Sequence, residues 1–355
     1  MKPDVSVLMA VYNGERHLPA AIDSILAQTH RNFEFVIVDD GSTDRSAEIA
    51  AARNDGRINL IRLPQNRGLS AALNEGLQAA GASLVARQDA DDTAEPERLA
   101  RQLAFMTAHP DVALLGTQGT VIAEDGHVTG AVTRPIGEDS IRFFSIFDNP
   151  FIHTSVMYRA AVARGCGGYN AAYDPFSQDY DLWCRIAEGH RVANLGERLI
   201  RYRASQTSII GAVRDDGSDS EYDRRFDRVV QELTLRQARR LLGADAVSDA
   251  DSELLAAPVR GLHPDRVPAF IDLFERVLDR FPHDAGGDFN ATVARLFEAV
   301  AFRLRPGSRA AAASLYTHLG RHHPGAFARV SWPRALALLA FGKGGRERIG
   351  EWWRG

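Results

Sequence analysis

Cysteine is nearly absent from this 355-residue chain, and the shortage excludes a disulfide-built fold. Cys166 and Cys184 are the two present, without metal-ligand spacing, so buried thiols in a reducing compartment are expected. Long apolar runs are missing too, since nothing reaches the roughly 18 residues that a membrane-spanning helix needs. The opening Met1-Lys2-Pro3-Asp4 passes straight into a short strand and lacks the apolar core of a signal peptide, which points to the cytoplasm. Charge excess is small. A net charge of −4 gives no basic footprint for nucleic acid. No Gly-x-Gly-x-x-Gly follows the first strand and no Gly-x-x-x-x-Gly-Lys-Ser/Thr occurs, which argues against a dehydrogenase-type dinucleotide site and a P-loop.

The composition is that of an ordinary globular protein, 45% hydrophobic and 25% charged, long enough for one large or two modest domains. Val5 to Val11 reads as a buried strand and Tyr12-Asn13-Gly14 as the turn after it. Glu15 to Gln28 carries Leu18, Ile22, Ile25 and Leu26 at helical spacing. Phe33 to Val38 predicts a second strand, followed by Asp39-Asp40-Gly41-Ser42-Thr43-Asp44, where Ser42 or Asp44 can cap a helix running to Arg53. Ile58 to Leu63, Gly68 to Ala80 and Leu84 to Gln88 predict strand, helix and strand. This alternation predicts an α/β fold with a doubly wound, mostly parallel, Rossmann-like sheet, which binds ligands at the carboxyl ends of its strands. Polar residues stand at four such ends: Tyr12 with Asn13, Asp39 with Asp40, Asn66 with Arg67, and Asp89, Asp91 and Asp92.

The last group places three carboxylates within Asp89-Ala90-Asp91-Asp92. Oxygen donors at that density suit Mg²⁺ or Mn²⁺, and Asp is equally at home capping the helix expected from near Pro96. Glu97 to His109 then reads as helix, Val112 to Thr117 as strand, Asp139 to Phe147 as a short helix and Thr154 to Tyr158 as strand. Gly165 to Tyr169 is loop-like, Gln178 to Glu188 helical, and Arg191 to Leu195 and Arg198 to Arg203 predict two short strands. Composition changes near Gly211. Ser218 to Leu242 predicts a charged helix, and Phe270 to Phe281 and Phe289 to Val300 carry apolar helix faces. From Arg321 to Gly355 basic residues outnumber acidic ones, beside the apolar Ala335 to Phe341 and the pair Trp352-Trp353. That tail suits an anionic lipid surface, or a docked last helix with a solvated basic face.

Val5-Ser6-Val7-Leu8-Met9-Ala10-Val11-Tyr12-Asn13, Val36 to Asp44, Asn66-Arg67-Gly68, Ala86 to Asp92 and Gln178-Asp179-Tyr180-Asp181-Leu182-Trp183 occur in a specific order and spacing. In this they resemble the family 2 glycosyltransferases, inverting enzymes of the GT-A fold, over residues 4 to 210. The resemblance implies a 1–210 catalytic domain, with a donor half over 1–117 and an acceptor half over 118–210, and a helical region over 211–355. It implies transfer of a single sugar from a nucleoside-diphosphate sugar, a UDP-sugar by expectation, to a glycan or glycolipid hydroxyl in bacterial surface-polysaccharide assembly.

By the same resemblance Asp39, with Asp40 beside it, recognises the nucleoside, Ala10 and Tyr12 frame the base, and Arg67 lies near the nucleotide. Asp89 and Asp91 form the family's Asp-x-Asp motif and hold Mn²⁺ or Mg²⁺, with Asp89 also on the donor side. Arg87 either reaches the diphosphate or pairs with the Asp cluster. Asp179 matches the general base, with Asp181 as a weaker rival, and Gln178 stands where the family commonly has Glu. His153 falls on the acceptor side, where a structural hydrogen-bonding role is the alternative. The Gln-x-x-Arg-Trp motif and membrane helices of processive synthases are missing; Arg203-Ala204-Ser205-Gln206-Thr207-Ser208 follows the last core strand instead. The 211–355 region is expected to serve oligomerisation, acceptor capture or peripheral membrane attachment at the inner face. A nucleotidyltransferase would need a basic, glycine-rich loop that Ala10 to Gly14 does not supply. A nucleotide-sugar-binding module without turnover is the other alternative, hinted at by Gln178.

Overall fold

The computed structural model describes residues 2–204, 221–281, 286–304, 309–332, 335–336 and 339. They fall into two compact units. One comprises the described residues up to Ile136 together with Phe151–Asp223, and the other comprises Gly137–Pro150 and the described residues from Arg224 onward.

The first unit runs β1 (Val5–Val11), α1 (Leu18–Leu26), β2 (Phe33–Asp39), α2 (Ser46–Ala52), β3 (Ile58–Arg62), α3 (Leu69–Ala79) and β4 (Leu84–Arg87). There follow β5 (Thr93–Ala94), α4 (Arg98–Ala108), β6 (Val112–Ile122) and β7 (Val128–Val132). After α5 (Glu138–Phe144) of the other unit come β8 (Met157–Arg159), α6 (Ala160–Gly165), α7 (Gln178–Gly189) and β9 (Arg191–Arg203). The strand order is β3-β2-β1-β4-β8-β6-β9-β5, with β7 paired to β6. The alternation read from the sequence is realised: β1 to β4 are mutually parallel, with Val11 level with Asp39, and Asp39 level with Arg62. β8 then enters antiparallel to both β4 and β6, and β9 lies parallel to β6.

Both faces of β1 are buried, as its unbroken apolar run requires. Val5, Val7 and Met9 share one core with Leu18, Ile22 and Ile25 of α1 and Phe35 and Ile37 of β2. On α3, Gly76 lets the helix approach β1: a Cβ there would lie 2.2 Å from Leu8 Cδ1.

Three elements differ from expectation. The two strands expected at Arg191 to Leu195 and Arg198 to Arg203 are one strand, because β6 runs on to Ile122 and pairs along it. Gly116 is level with Asn194 and Gln118 with Arg198, so Leu195, Gly196 and Glu197 bulge opposite Thr117 alone. The strand expected from Thr154 starts only at Met157, after a 3₁₀ turn over His153–Ser155. There Thr154 Oγ1 accepts the Asp89 N–H at 3.0 Å and Ser155 Oγ donates to Ile152 O at 2.8 Å, side-chain bonds that compete with a ladder. Gly165, expected to open a loop, instead ends a helix, α6, over Ala160–Gly165.

The second unit is helical: α5, most of α8 (Glu221–Leu242), the short α9 (Ser252–Leu255) and α10 (Ala257–Arg260), then α11 (Val267–Leu278), α12 (Gly286–Arg303), α13 (Arg309–His322) and α14 (Pro324–Phe327). The two predicted apolar faces are buried: Phe270, Leu273, Phe274, Val277 and Leu278 meet Phe289, Val293, Phe297 and Val300 in one core. Phe143 packs edge-on against Phe274 at 5.5 Å, and Phe274 against Phe297 at 4.7 Å. Phe143 and Phe147 draw Gly137–Pro150 into this core, whereas the sequence alone placed the segment with the acceptor half. Gln237 Nε2 donates to Ser145 Oγ at 2.9 Å and Gly137 N–H to Asp288 Oδ2 at 3.0 Å. The expected boundary at 211–220, Ser205 to Ser208, and the tail with Trp352 and Trp353 lie outside the described residues. Among the described residues no helix is long and apolar enough to cross a membrane. Neither Cys166 nor Cys184 forms a disulfide.

Candidate active site

The carboxyl ends of β1, β2 and β4 open onto a cavity of about 700 Å³ whose lining includes Ala10, Tyr12, Asn13, Asp40, Asn66, Asp89 and Asp91. Two loops form one wall. Asn13, held at φ 50°, donates its N–H to Ser42 Oγ at 3.0 Å and accepts the Thr43 N–H on Oδ1 at 2.8 Å. Gly14 N–H donates to Ser46 Oγ at 2.9 Å, and Asp44 accepts from Glu15 N–H at 3.0 Å and Ser46 N–H at 2.9 Å. Asp44 therefore does meet the first turn of α2, while Ser42 ties the loops together. Gly41 is required beside them: at φ 71° a Cβ would lie 2.4 Å from the Gln65 carbonyl carbon.

Asp39 and Asp40 diverge. Asp39 is 1% exposed, accepts the Ser42 N–H at 3.1 Å, and has Arg62 Nε at 3.8 Å from Oδ2. Asp40 lines the cavity and accepts the amides of Arg67 at 2.8 Å and Gly68 at 3.0 Å, which fixes the loop before α3. Burial pushes the Asp40 carboxyl above its ordinary value despite those amides. Arg67 contributes its backbone here, and its side chain is half exposed with Glu75 at 3.8 Å. Tyr12 is 50% exposed on the cavity wall.

The turn Asp89–Asp92 is clamped from below. Gln88 Nε2 donates to Asp89 O at 3.1 Å and Asp92 O at 2.9 Å, and Arg98 Nη1 holds Gln88 Oε1 at 2.8 Å. Arg203 Nε donates to Asp91 O at 3.0 Å, and its N–H to Asp92 Oδ1 at 2.7 Å. Asp92 is buried, and burial, then the neighbouring Asp91 and Asp89, push its carboxyl well above the usual range. Asp91 reaches the cavity, where burial and the charge of Asp89 push it up to about 6. Burial alone would raise Asp89, but the Arg87 guanidinium, aided by Arg98, holds it below the usual range.

Arg87 does not reach the cavity. It is fully buried, donates Nη2 to Asp89 Oδ1 at 2.6 Å, Nη1 to Leu8 O and Nε to His153 Nε2 at 3.2 Å. Of the two roles open to Arg87 in the sequence, the pairing with the Asp cluster is the one observed. Because His153 Nε2 accepts, its proton sits on Nδ1, which lies 3.9 Å from Asp89 Oδ2. Burial and then Arg87 hold His153 below its ordinary value, so it is neutral near pH 7. His153 thus stands beside Asp89 and is bonded to Arg87.

Gln178 and Asp179 open α7, both buried, and neither is among the residues lining the cavity. Asp181 is fully buried and bound by Arg185 at 2.6 Å, which removes it as a rival base. The loop before α7 is tied to α3, since Asp174 accepts the Ser70 N–H at 3.0 Å and also the Ser70 hydroxyl. The cavity so unites Ala10, Tyr12, Asp40, Asp89 and Asp91 of the expected residues, while Asp39, Arg67, Arg87, His153, Gln178 and Asp179 stand around it. Sequence reasoning passed over Arg16, His17, Leu69 and Pro175, which also line it. Arg16 and His17 come two and three residues after Gly14 of the Tyr12-Asn13-Gly14 turn, and that position was their available signal. Both approach Glu124 Oε2, at 3.2 and 3.1 Å.

Asp89 and Asp91 face one cavity and offer it carboxylate oxygens, donors that fit Mg²⁺ or Mn²⁺. A mostly parallel α/β sheet with polar strand ends around such a cavity is the arrangement in which such folds bind a ligand. A sequence model of glycosyl transferase family 2 matches residues 6–164. The amylovoran biosynthesis glycosyltransferase AmsE of Erwinia amylovora is 36% identical over 210 residues, 58% of this chain and 77% of that protein. The Escherichia coli UDP-Gal:alpha-D-GlcNAc-diphosphoundecaprenol beta-1,3-galactosyltransferase is 31% identical over 209 residues, 58% of this chain and 75% of that protein. The crystal structure of S. aureus TarS 1-349 in complex with UDP-GlcNAc shares the fold, with TM-score 0.54 and 17% identity over 97% of this chain and 92% of that one. The chain belongs to glycosyltransferase family 2.

Proposed function

We propose that the protein transfers one sugar, with inversion, from a uridine-diphosphate sugar to a hydroxyl of a glycan or lipid-linked glycan, in the assembly of a bacterial surface polysaccharide. The observation that carries this is the convergence of Tyr12, Asp40, Asp89 and Asp91 from separate strand ends on one cavity. Two relatives, an amylovoran biosynthesis glycosyltransferase and a UDP-Gal:alpha-D-GlcNAc-diphosphoundecaprenol beta-1,3-galactosyltransferase, support the pathway and donor by what their names state.

Tyr12 and the Ala10 backbone frame the base, and Asp39 accepts its imide N–H. Asp40 sets the Arg67–Gly68 amides and so shapes the loop that meets the nucleotide. Asp89 and Asp91 would hold Mn²⁺ or Mg²⁺, which when bound neutralises charge on the departing nucleoside diphosphate. Arg87 acts through Asp89 as a positioning residue, bonding its carboxylate and keeping it ionised, and His153 accepts from Arg87 in turn. Asp179 takes the proton of the acceptor hydroxyl as that oxygen attacks the anomeric carbon and the diphosphate leaves from the opposite side. Its support is its residue type and its place at the start of α7. The helical unit serves acceptor capture, self-association or attachment at the membrane face.

Titration with uridine, thymidine, guanosine and cytidine diphosphates, with and without Mn²⁺, tests the donor site. A Mn²⁺-dependent rise in melting temperature with uridine diphosphate, lost in Asp91→Asn, is expected. Asp179→Asn should keep that rise and lose transfer by about 100-fold or more. No shift with any nucleotide would refute the donor site, and full transfer by Asp179→Asn would refute the base. The position of Asp179 outside the cavity lining favours one rival, a binding module without turnover. Binding of the nucleotide with no transfer to any glycan acceptor would select it.

A further inference from the structure

We propose that Glu275, His318 and His323 form a second divalent-cation site in the helical unit, selective for zinc-class ions. Glu275 lies on α11, His318 on α13 and His323 at the turn into α14. His318 Nε2 and His323 Nε2 converge on the same oxygen, Glu275 Oε1, at 2.6 and 2.7 Å. The three donor atoms lie within 4.8 Å of one another. A tetrahedral zinc with bonds of about 2.0–2.1 Å separates its donors by about 3.3 Å, so each imidazole-to-carboxylate distance need open by roughly 0.6 Å.

The surroundings hold this arrangement. Leu315 and Leu319 on α13 and Phe274 on α11 are fully buried in one core, which fixes the helices that carry the ligands. The His323 N–H donates to Leu319 O at 2.8 Å, closing the end of α13. The Phe297 ring lies parallel to His318, and the His322 ring stacks on it with centroids 4.4 Å apart. Partial exposure, 19% for His318, 30% for Glu275 and 18% for His323, leaves an entry path.

Donor chemistry separates this site from the carboxylate pair. Two imidazoles and one carboxylate suit zinc, cobalt or nickel, whereas the all-oxygen pair Asp89 and Asp91 suits magnesium or manganese. Three protein ligands leave a fourth position for water. The bound ion would staple α11 to the α13–α14 turn, joining residues 43 apart in sequence. Its role would be cohesion of the helical unit.

The test uses the full chain, stripped with chelator and titrated with zinc chloride by calorimetry and thermal shift. One zinc per chain should bind, with a rise in melting temperature of about 5 °C or more. Affinity should fall at least about tenfold in His318→Ala and in His323→Gln, and stay unchanged in Asp91→Asn. Cobalt substitution should give the visible absorption of a four-coordinate site, lost in the same variants. His323→Gln changes a residue outside the core, so it decides the matter if His318→Ala fails to fold. Absence of zinc binding at micromolar free metal, or binding left unchanged by His323→Gln and Glu275→Gln, would overturn the site.

Discussion

In the sheet unit Arg87, Arg98 and Asp92 lie out of solvent, whereas the large buried side chains of the helical unit are Phe143, Phe147, Phe270, Phe274 and Phe297. The two interiors answer different demands. Burying an ion costs several kcal/mol that its partners only partly return, and an apolar residue of the same volume is often as stable or more so. A buried Phe contributes about 1.5–3 kcal/mol without such a debt. The charged residues of the sheet unit therefore do something that cohesion alone does not require. They set the Asp89–Asp92 turn: Arg87 bonds Asp89, Arg98 bonds Gln88, and Gln88 spans the turn.

Arg87→Met tests that contrast most severely. It leaves the Asp89 carboxylate without its guanidinium, and should cost about 3–5 kcal/mol of stability together with a fall in turnover of about 100-fold. Denaturant melts and kcat/KM on the same sample would show both. Turnover preserved in a destabilised variant would break the comparison, making Arg87 a cohesive residue after all. Phe274→Ala is the counterpart. It should cost about 3–5 kcal/mol by opening a cavity among Phe143, Phe270 and Phe297, while kcat/KM of the folded fraction stays unchanged.

The smallest effect concerns a charge pair at the surface of the sheet unit. Asp55 is held down to about 2 by its hydrogen bonds with the Arg57 side chain and amide. A depressed carboxylate contributes stability above its unfolded value, about 3.9, and that contribution is lost as pH falls through the folded value. Asp55→Asn should therefore cost about 1 kcal/mol at pH 7 after solvent screening, and almost nothing at pH 2. Equal costs at both pH values would show that the pair acts by packing. Such a result would sharpen the contrast between surface charge and the buried Arg87.

The strand ends at the cavity were legible because their signals are local. An apolar run followed by Asp marks a strand end in any parallel sheet, so Asp39, Asp40, Asp89 and Asp91 could be read directly. The partners of those residues were not legible. His153 comes to stand beside Asp89 from 64 positions away, and nothing in its neighbourhood says which carboxylate it faces. Thr154 likewise reads as a strand residue until the Asp89 amide is seen to need its hydroxyl. Gly196 and Glu197 broke the apolar pattern of β9, and pairing with β6 overrode the break. Phe143 and Phe147 show an apolar helix face, but a face does not state which core it joins.

The sheet ends differently at its two sides. β5 closes one side with only two residues, and β3 closes the other with Asn59 and Arg62 exposed. An open strand edge is a template for another chain, and length and apolar character decide how good a template it is. One end here is too short to copy and the other carries a polar and a cationic side chain. The long apolar strands β1 and β2 are thereby kept from recruiting a second molecule during synthesis, when many unfinished chains are close together. Replacing Arg62 with valine would give up that protection, and with it the cation beside Asp39.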